Sequence, residues 1–416
     1  MNFQQGLFPS PSISGDHEIA PPNQRSPFEG SFPSLQKESK MLLSKLGLEN
    51  FRNFSKSFFS FEDGINVIWG ENAAGKSNLL EAIFFSGTGK PSKANREVEL
   101  IQFGQPYARI ENHFLKKNKT HLLEAALERT EQDSTRKILK LNKNPVRKVS
   151  ELVGEFKVVL FSPQDQSLVQ GEPFFRRRFL DSLLSQLSTP YLHSYMKYQA
   201  VKEQRNSLLK QPYTSAELFP WNLKLIETGS LLVFKRLEIL PELSALAQKA
   251  HQFLCQEEFL ELQYLSSFPL PEPQNELTVE TLTQLFEQAL AKTAAEEKKR
   301  GMTLVGPHRD DLGIFIAKQD ARIYGSQGQQ KTAALALRLA EGALFEKIDE
   351  EPPIYLLDDC FSELDQDRQK AFCSFFLKNA QGILTTAEEP AAYLKGYPHI
   401  KLQKRGREEI SCGIPG

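Results

Sequence analysis

The sequence predicts an α/β fold: a phosphate-loop nucleotide-binding head with a mixed sheet, its two halves separated by a helical insertion. Three observations carry this. Gly70-Glu71-Asn72-Ala73-Ala74-Gly75-Lys76-Ser77 has the G-x-x-x-x-G-K-[ST] spacing, and it lies between an apolar run and an amphipathic segment. From Pro173 to Arg300 the apolar residues recur with a helical period. Near the C-terminal end a second apolar run, Pro353 to Leu357, stops at Asp358-Asp359.

Bulk properties narrow the class. A chain of 416 residues, 40% of them hydrophobic, can build two or three domains with sizeable cores. The net charge of −1 provides no global basic field, so an anionic partner must be held by local patches. The four cysteines (Cys255, Cys360, Cys373 and Cys412) form no C-x-x-C pair and read as the reduced thiols of a cytoplasmic protein. No run of 18 apolar residues is present, so no membrane partner is expected. Residues 1–40 mix Pro9, Pro11, Pro21, Pro22, Pro27 and Pro33 with polar residues, and they read as a disordered N-terminal extension without a signal-peptide core. Met41, where structured sequence begins, is a candidate natural start.

The first half of the head, residues 41–180, opens with short β patterns at Leu42–Leu48, Ser57–Phe61 and Ile65–Trp69. The third leads into the phosphate loop. Its glycines let the backbone curl, so that N–H groups from Gly70, Glu71, Asn72, Ala73, Ala74 and Gly75 can meet phosphate oxygens. Lys76 supplies a positive charge for the β and γ phosphates, and Ser77 offers a hydroxyl to Mg²⁺ at the start of a helix. Arg52 either reaches the nucleotide or is a solvated loop arginine. Tyr107–Leu115, Leu122–Leu127 and Thr135–Leu141 alternate like antiparallel strands. Arg136, Lys137, Lys140, Lys143, Arg147 and Lys148 follow with no acid among them, as a phosphate-tracking patch for DNA or a solvated strand face. Phe156–Phe161 ends near Gln164, which suits a Mg²⁺ or water contact or simply a polar turn.

Residues 181–300 read as the helical arm. Helices are expected from Arg176, over Tyr191–Leu209, Trp221–Leu240 and Leu243–Leu262, and, after a break at Pro269, Pro271 and Pro273, over Leu277–Arg300. Arg176, Arg177 and Arg178 read first as a salt-bridged structural cluster. Val305 to Leu312 returns the chain to the sheet and opens the second half of the head, residues 301–416. His308 and Asp310 lack a second His or Cys at ligand spacing, so they read as a hydrogen-bonded turn rather than a metal site.

In that second half, Ser326-Gln327-Gly328-Gln329 precedes a helix from Thr332 to Lys347 and forms an anion-binding turn by geometry. Asp358, at the end of its strand, is placed to hold Mg²⁺, and Asp359 to orient the attacking water. Ser362-Glu363-Leu364-Asp365 follows, then an apolar strand from Ile383 to Thr386.

This order of motifs resembles the ABC-type ATPase heads of the SMC-like group and is most similar to the RecF family. Leu46-x-Leu48-Glu49-Asn50-Phe51-Arg52-Asn53-Phe54, Gly171-x-Pro173-x-x-Arg176-Arg177-x-Phe179-Leu180-Asp181, Gln204-Arg205-Asn206 and Gly306-Pro307-His308-Arg309-Asp310-Asp311 carry the likeness. The resemblance implies an ABC-type head with an inserted arm and two ATP molecules shared by a head-to-tail homodimer. Ser326, Gly328 and Gln329 of one copy would close on the γ-phosphate held by Lys76 and Ser77 of the other. It implies Asp359 in place of the more usual Glu and Thr386 in place of a switch His, hence slow, DNA-stimulated hydrolysis. It implies binding to single-stranded or gapped DNA, partnership with RecR and RecO, indirect action on RecA, and a part in replication-fork maintenance and the SOS response. One departure stands out: where the family commonly has Lys-Ser-His-Arg-Thr, this chain has Lys90-Pro91-Ser92-Lys93-Ala94. Lys93 keeps the charge without the forked geometry of arginine. Two other readings are a DNA-binding scaffold with negligible turnover and a small-molecule kinase. The intact set of acids and the long insertion argue against them.

Overall fold

The computed structural model describes residues 40–94, 96–132, 134–255, 258–359, 369, 380–389, 394 and 396–403. Residues 1–39, the Ser362–Asp365 motif, and Cys360, Cys373 and Cys412 lie outside them.

The chain order is β1 (Leu42–Phe51), β2 (Phe54–Ser60), β3 (Ile65–Gly70), α1 (Lys76–Thr88), β4 (Tyr107–Lys116), β5 (Lys119–Arg129), β6 (Thr135–Leu141), β7 (Asn144–Val146), β8 (Val158–Phe161), α2 (Gln166–Gln170), α3 (Pro173–Leu187), α4 (Thr189–Leu209), α5 (Ser215–Leu254), β9 (Leu260–Leu265), α6 (Val279–Arg300), β10 (Asp311–Ile316), β11 (Gln319–Asp320), α7 (Ala321–Tyr324), α8 (Gln327–Asp349), β12 (Ile354–Asp358), β13 (Gly382–Thr386) and β14 (His399–Leu402). They form a six-stranded sheet ordered β2-β1-β4-β5-β6-β7, a five-stranded sheet ordered β14-β3-β13-β12-β8 and a three-stranded sheet ordered β11-β10-β9.

The period-two rule explains how the five-stranded sheet is packed. Its strands are all parallel, and a parallel sheet covered on both faces needs apolar residues at successive positions. Ile65, Val67, Val159, Phe161, Tyr355, Leu357 and Leu384 enter one core with α2, α3 and α8. Their neighbours Ile68, Val158, Leu160, Ile354, Leu356 and Ile383 enter a second core, shared with α1 and the inner face of the six-stranded sheet. That sheet has one wet face and therefore alternates: Leu46 and Leu48 of β1 are buried, while Lys45 is exposed. Gln381, fully buried, ties the two sheets together. Its amide accepts from Leu43 N at 2.8 Å and donates to Leu43 O at 2.9 Å and Glu62 O at 2.8 Å.

Two sequence expectations are corrected. The segment read as separate helices over Trp221–Leu240 and Leu243–Leu262 is one helix, α5, which runs through Pro241 and stops at Leu254. Proline inside a helix costs about 3 kcal/mol, but Leu243, Leu246, Ala247, Ala250 and Leu254 just beyond it pack into the core shared with α8, which holds the helix together. The remaining residues form β9, where Leu260, Leu262 and Tyr264 are buried and Gln263 and Leu265 exposed, an alternation that no helix face would give. The return after the arm is the second correction. β10 pairs with β9 and β11 in the small sheet rather than joining either large one.

The arm is fastened by buried ion clusters. Arg205 donates to Glu297 at 2.5 Å, to Thr303 Oγ1 at 2.7 Å and to Asn222 Oδ1 at 2.7 Å. Arg236 of α5 reaches Asp181 of α3 at 2.6 Å and Pro307 O at 2.8 Å. Removing one partner of such a buried pair leaves an uncompensated charge, a loss of about 3–5 kcal/mol.

Packing of α8 on β12 gives a direct test. A Cβ on Gly342 would lie 2.1 Å from Tyr355 Oη, and Tyr355 is itself fully buried. Glycine to alanine in a helix normally stabilises by about 0.5–1 kcal/mol. Gly342→Ala is expected to reverse that sign and destabilise by about 1–3 kcal/mol through overpacking. The shift in urea midpoint at constant slope measures it.

Candidate nucleotide site

Parallel strands place their carboxyl ends on one edge, where α/β sheets bind ligands. Gly70 ends β3, Asp358 ends β12 and Thr386 ends β13. The register pairs Asp358 with Thr385, and Thr386 with Trp69, so residues more than 280 positions apart in sequence meet here.

The loop between β3 and α1 takes its shape from backbone that other residues avoid. Gly70, Ala73 and Gly75 have φ of 152°, 67° and 108°. Successive turns of this kind aim N–H groups inward as an anion nest. Gly75 is required twice over, because a Cβ there would also lie 2.4 Å from the Asn53 amide. That amide laces the loop: Asn53 donates to Ala74 O at 3.1 Å and accepts from Asn78 Nδ2 at 2.8 Å. Lys76 Nζ folds back on Gly70 O at 2.7 Å and Glu71 O at 2.9 Å. Burial lowers its pKa below the ordinary lysine value, and the Asp359 and Asp358 carboxylates oppose that shift.

Asp358 is the hub. Its Oδ1 accepts from Ser77 Oγ at 2.7 Å and from Thr385 Oγ1 at 3.1 Å, and its Oδ2 pairs with Lys93 Nζ at 2.6 Å. The ammonium of Lys93 is a stand-in cation beside two oxygen donors, Ser77 and Asp358. This donor set fits Mg²⁺, which takes one or two protein oxygens and completes its shell with water and substrate phosphates. Among the described residues no group of three or more His, Cys, Asp or Glu offers an all-protein metal cage.

Lys93 was not among the site residues expected from sequence, and what delivers it is Glu81. This carboxylate of α1, 2% exposed, accepts the Lys93 and Ala94 backbone N–H groups at 3.1 and 3.3 Å. It also pairs with Arg52 at 2.8 Å. Arg52 is thus committed to Glu81, and together with Asn53, Asn78 and Arg96 it borders a cleft of about 440 Å³ next to the loop. Glu81 acts through ordinary hydrogen bonds from a position that no motif marks, and Asn53 belongs to the Leu46–Phe54 string without having been singled out in it.

The other expected residues are placed as follows. Asp359 is exposed with φ of 51°, a left-handed backbone rare outside glycine, and its N–H donates to Thr385 Oγ1 at 3.1 Å. Gln164 is exposed in the turn after β8, and the neighbouring Asp165 is held by Arg338 of α8 at 2.8 Å. Ser326 and Gly328 are exposed at the start of α8. Ser326 Oγ accepts from Gln329 N at 3.2 Å, and Gln329 Oε1 accepts from Ser326 N at 2.8 Å. Among the described residues this turn shares no hydrogen bond with Gly70–Ser77.

The residues read as structural are bonded so in part: Arg177 and Arg178 donate to the backbone carbonyls of Asp310, Pro91 and Ser92 rather than to a carboxylate. Arg176 grips Asp311 with two hydrogen bonds of 2.7 and 2.8 Å. His308 Nδ1 accepts from Tyr198 Oη at 2.6 Å, Nε2 lies 3.2 Å from Thr303 O, and burial pushes its pKa down to about 3. Asp310 accepts from Ser267 N at 2.7 Å.

Comparison with known proteins agrees with this architecture. Residues 42–396 match the family described as RecF/RecN/SMC N terminal domain. The DNA replication and repair protein RecF of Symbiobacterium thermophilum is 41% identical over 360 residues, covering 86% of this chain and 94% of that protein. The protein of the same name from Halalkalibacterium halodurans is 39% identical over 378 residues, covering 90% and 98%. A solved structure of the recombination mediator protein RecF-ATPrS in the RecFOR pathway superposes with a TM-score of 0.81 at 31% identity, over 88% of this chain and 96% of that one. A RecF-ATP structure gives 0.79 at 32%, over 85% and 94%. The parallel sheet with its antiparallel partner is the ABC-type ATPase head.

Lys93→Ala is expected to leave the nearly buried Asp358 without its cation and to destabilise by about 1–3 kcal/mol. Urea unfolding reads this loss, and millimolar Mg²⁺ is expected to restore more stability to the variant than to the parent.

Proposed function

This chain belongs to the RecF family, and on that premise we propose that it is an ATP-dependent DNA-binding protein of recombinational repair and replication-fork maintenance. The observation that carries the reading is the Asp358 carboxylate, joined to Ser77 and balanced by a cation at the edge that holds the phosphate loop. The loop N–H groups and Lys76 bind the triphosphate, and Ser77 with Asp358 would hold Mg²⁺ in place of the Lys93 ammonium. Bound Mg²⁺ supplies charge neutralisation at the phosphates. Asp359 orients the attacking water and accepts its proton as the γ-phosphoryl leaves, giving ADP and phosphate. Its backbone, pinned to Thr385, fixes where that carboxylate starts. Gln164 contacts Mg²⁺ or the attacking water, and Arg52 lines the nucleotide cleft.

The site is completed by a second copy. Ser326 and Gly328 stand exposed and Gln329 half-buried at the N-terminus of α8, where the helix dipole favours an anion. Their capping box leaves Gly328 open to approach. ATP therefore drives dimerisation, and weak DNA-stimulated hydrolysis times its release. Arg136, Lys140, Lys143, Arg147 and Lys148, all exposed beside β6 and β7, supply phosphate contacts to single-stranded or gapped DNA. Residues 181–300 form the arm between the two halves of the head. Solved relatives described in the RecFOR pathway support RecR and RecO as partners; help in loading RecA and support of the SOS response belong to the same proposal.

Lys76→Ala is expected to weaken ATP binding by about 100-fold, the equivalent of losing charge-assisted contacts worth ~3 kcal/mol, and with it ATP-dependent DNA retention. Unchanged DNA retention would favour a passive scaffold. Asp359→Asn is expected to accumulate an ATP-bound dimer on DNA in sedimentation experiments; monomer alone would rule out the shared site. Specific ATPase activity of the unmodified chain should rise steeply with protein concentration, more so with gapped DNA.

A further inference from the structure

A cavity of about 660 Å³ opens between the loop that follows α1 and the arm helices α3, α4 and α5. It is within the size range of small-ligand pockets. Five cations line it; Arg236 is paired with Asp181, which leaves four, Lys90, Arg177, Arg178 and Lys202. Among the described residues none of the four is ion-paired. Arg177 donates to Asp310 O at 2.8 Å, and Arg178 to Pro91 O at 2.8 Å and Ser92 O at 3.2 Å. Lys90 Nζ sits 4.7 Å from the centre of the Tyr195 ring, and Lys202 leans on Gln199.

The two acids at the cavity wall are already satisfied elsewhere. Asp181 accepts from Arg236 at 2.6 Å and from Tyr191 Oη at 2.5 Å. Glu97 pairs with Lys137 at 2.5 Å. The cavity is therefore left with an excess of positive charge. Partial burial lowers the pKa of both Lys202 and Arg177, and Arg177 adds to the shift on Lys202. Four like charges converging on one space are unfavourable until an anion joins them. Guanidinium forks and ammonium groups together suit phosphate oxygens. Phe84, Leu192 and Leu232 line the same cavity and provide an apolar wall.

We propose that this cavity is a second, phosphate-bearing-ligand site, of a size for one nucleotide unit, distinct from the phosphate loop. The unit is either a free nucleotide or one nucleotide of a nucleic acid strand; both present the same phosphate to Arg177, Arg178, Lys90 and Lys202. The proposal rests on the cavity alone and not on ATP binding at Gly70–Ser77.

Calorimetric titration of the full chain with dTMP and with a short oligothymidylate tests it. Saturable binding is expected to survive Lys76→Ala within about twofold and to weaken at least about tenfold in Lys202→Glu. Lys202→Met, which keeps an unbranched stem of similar length and removes the charge, is expected to weaken it as well and guards against misfolding. An oligothymidylate that binds about tenfold tighter than dTMP, with the same dependence on Lys202, assigns the phosphate to a strand; equal affinities assign it to a free nucleotide. Absence of saturable binding to the parent, loss of binding in Lys76→Ala, or unchanged binding in both Lys202 variants overturns the proposal.

Discussion

The carboxylate of Asp358 is the constraint on which the rest of the structure turns. One oxygen takes the hydroxyls of Ser77 and Thr385, and the other takes the ammonium of Lys93. These groups come from the start of α1, the end of β13 and the loop after α1. Burying a carboxylate to 4% exposure is costly unless partners such as these satisfy its oxygens. The halves of the head, interrupted by the arm, must therefore dock with their strand ends in register. The sheet order β3-β13-β12 is what makes that possible.

Two cores maintain the register. The parallel sheet separates them, and each strand sends alternate residues to either side. A slip of one residue would exchange every contact. Buried polar groups then fix details that apolar packing leaves open. Gln381 joins β1 to the start of β13, and Asp165–Arg338 joins the turn after β8 to α8. Glu81 performs the same task at the site, since one buried carboxylate orients both Arg52 and the backbone that carries Lys93. A lysine at 93 fits this geometry. A single contact with one carboxylate oxygen needs a point charge rather than a fork.

Much of the site was legible because its chemistry is local. A phosphate loop needs glycines and a lysine at fixed spacing, and an apolar run ending in Asp-Asp signals a strand edge with carboxylates. Alternation marked β4, β5 and β6 for the same reason. The division between Leu240 and Leu243 did not hold, because the cost of Pro241 to one helical hydrogen bond is local while the packing of Leu243 and Leu246 that outweighs it is not. β9 was hidden because Phe259, Leu262 and Leu265, three residues apart in a segment that follows a helix, imitate a helical face.

The sequence by itself determined the fold class, the phosphate loop with Lys76 and Ser77, the strand-end pair Asp358 and Asp359, and the helix-capping turn at Ser326. All of these rest on short-range spacing and period. Only the tertiary structure decided what those residues touch. It bound Asp358 to Lys93, committed Arg52 to Glu81, laced the loop with Asn53 and gathered four cations around a cavity between head and arm. Such pairings depend on which strands become neighbours, and that is set by the simultaneous burial of two cores rather than by any stretch of sequence.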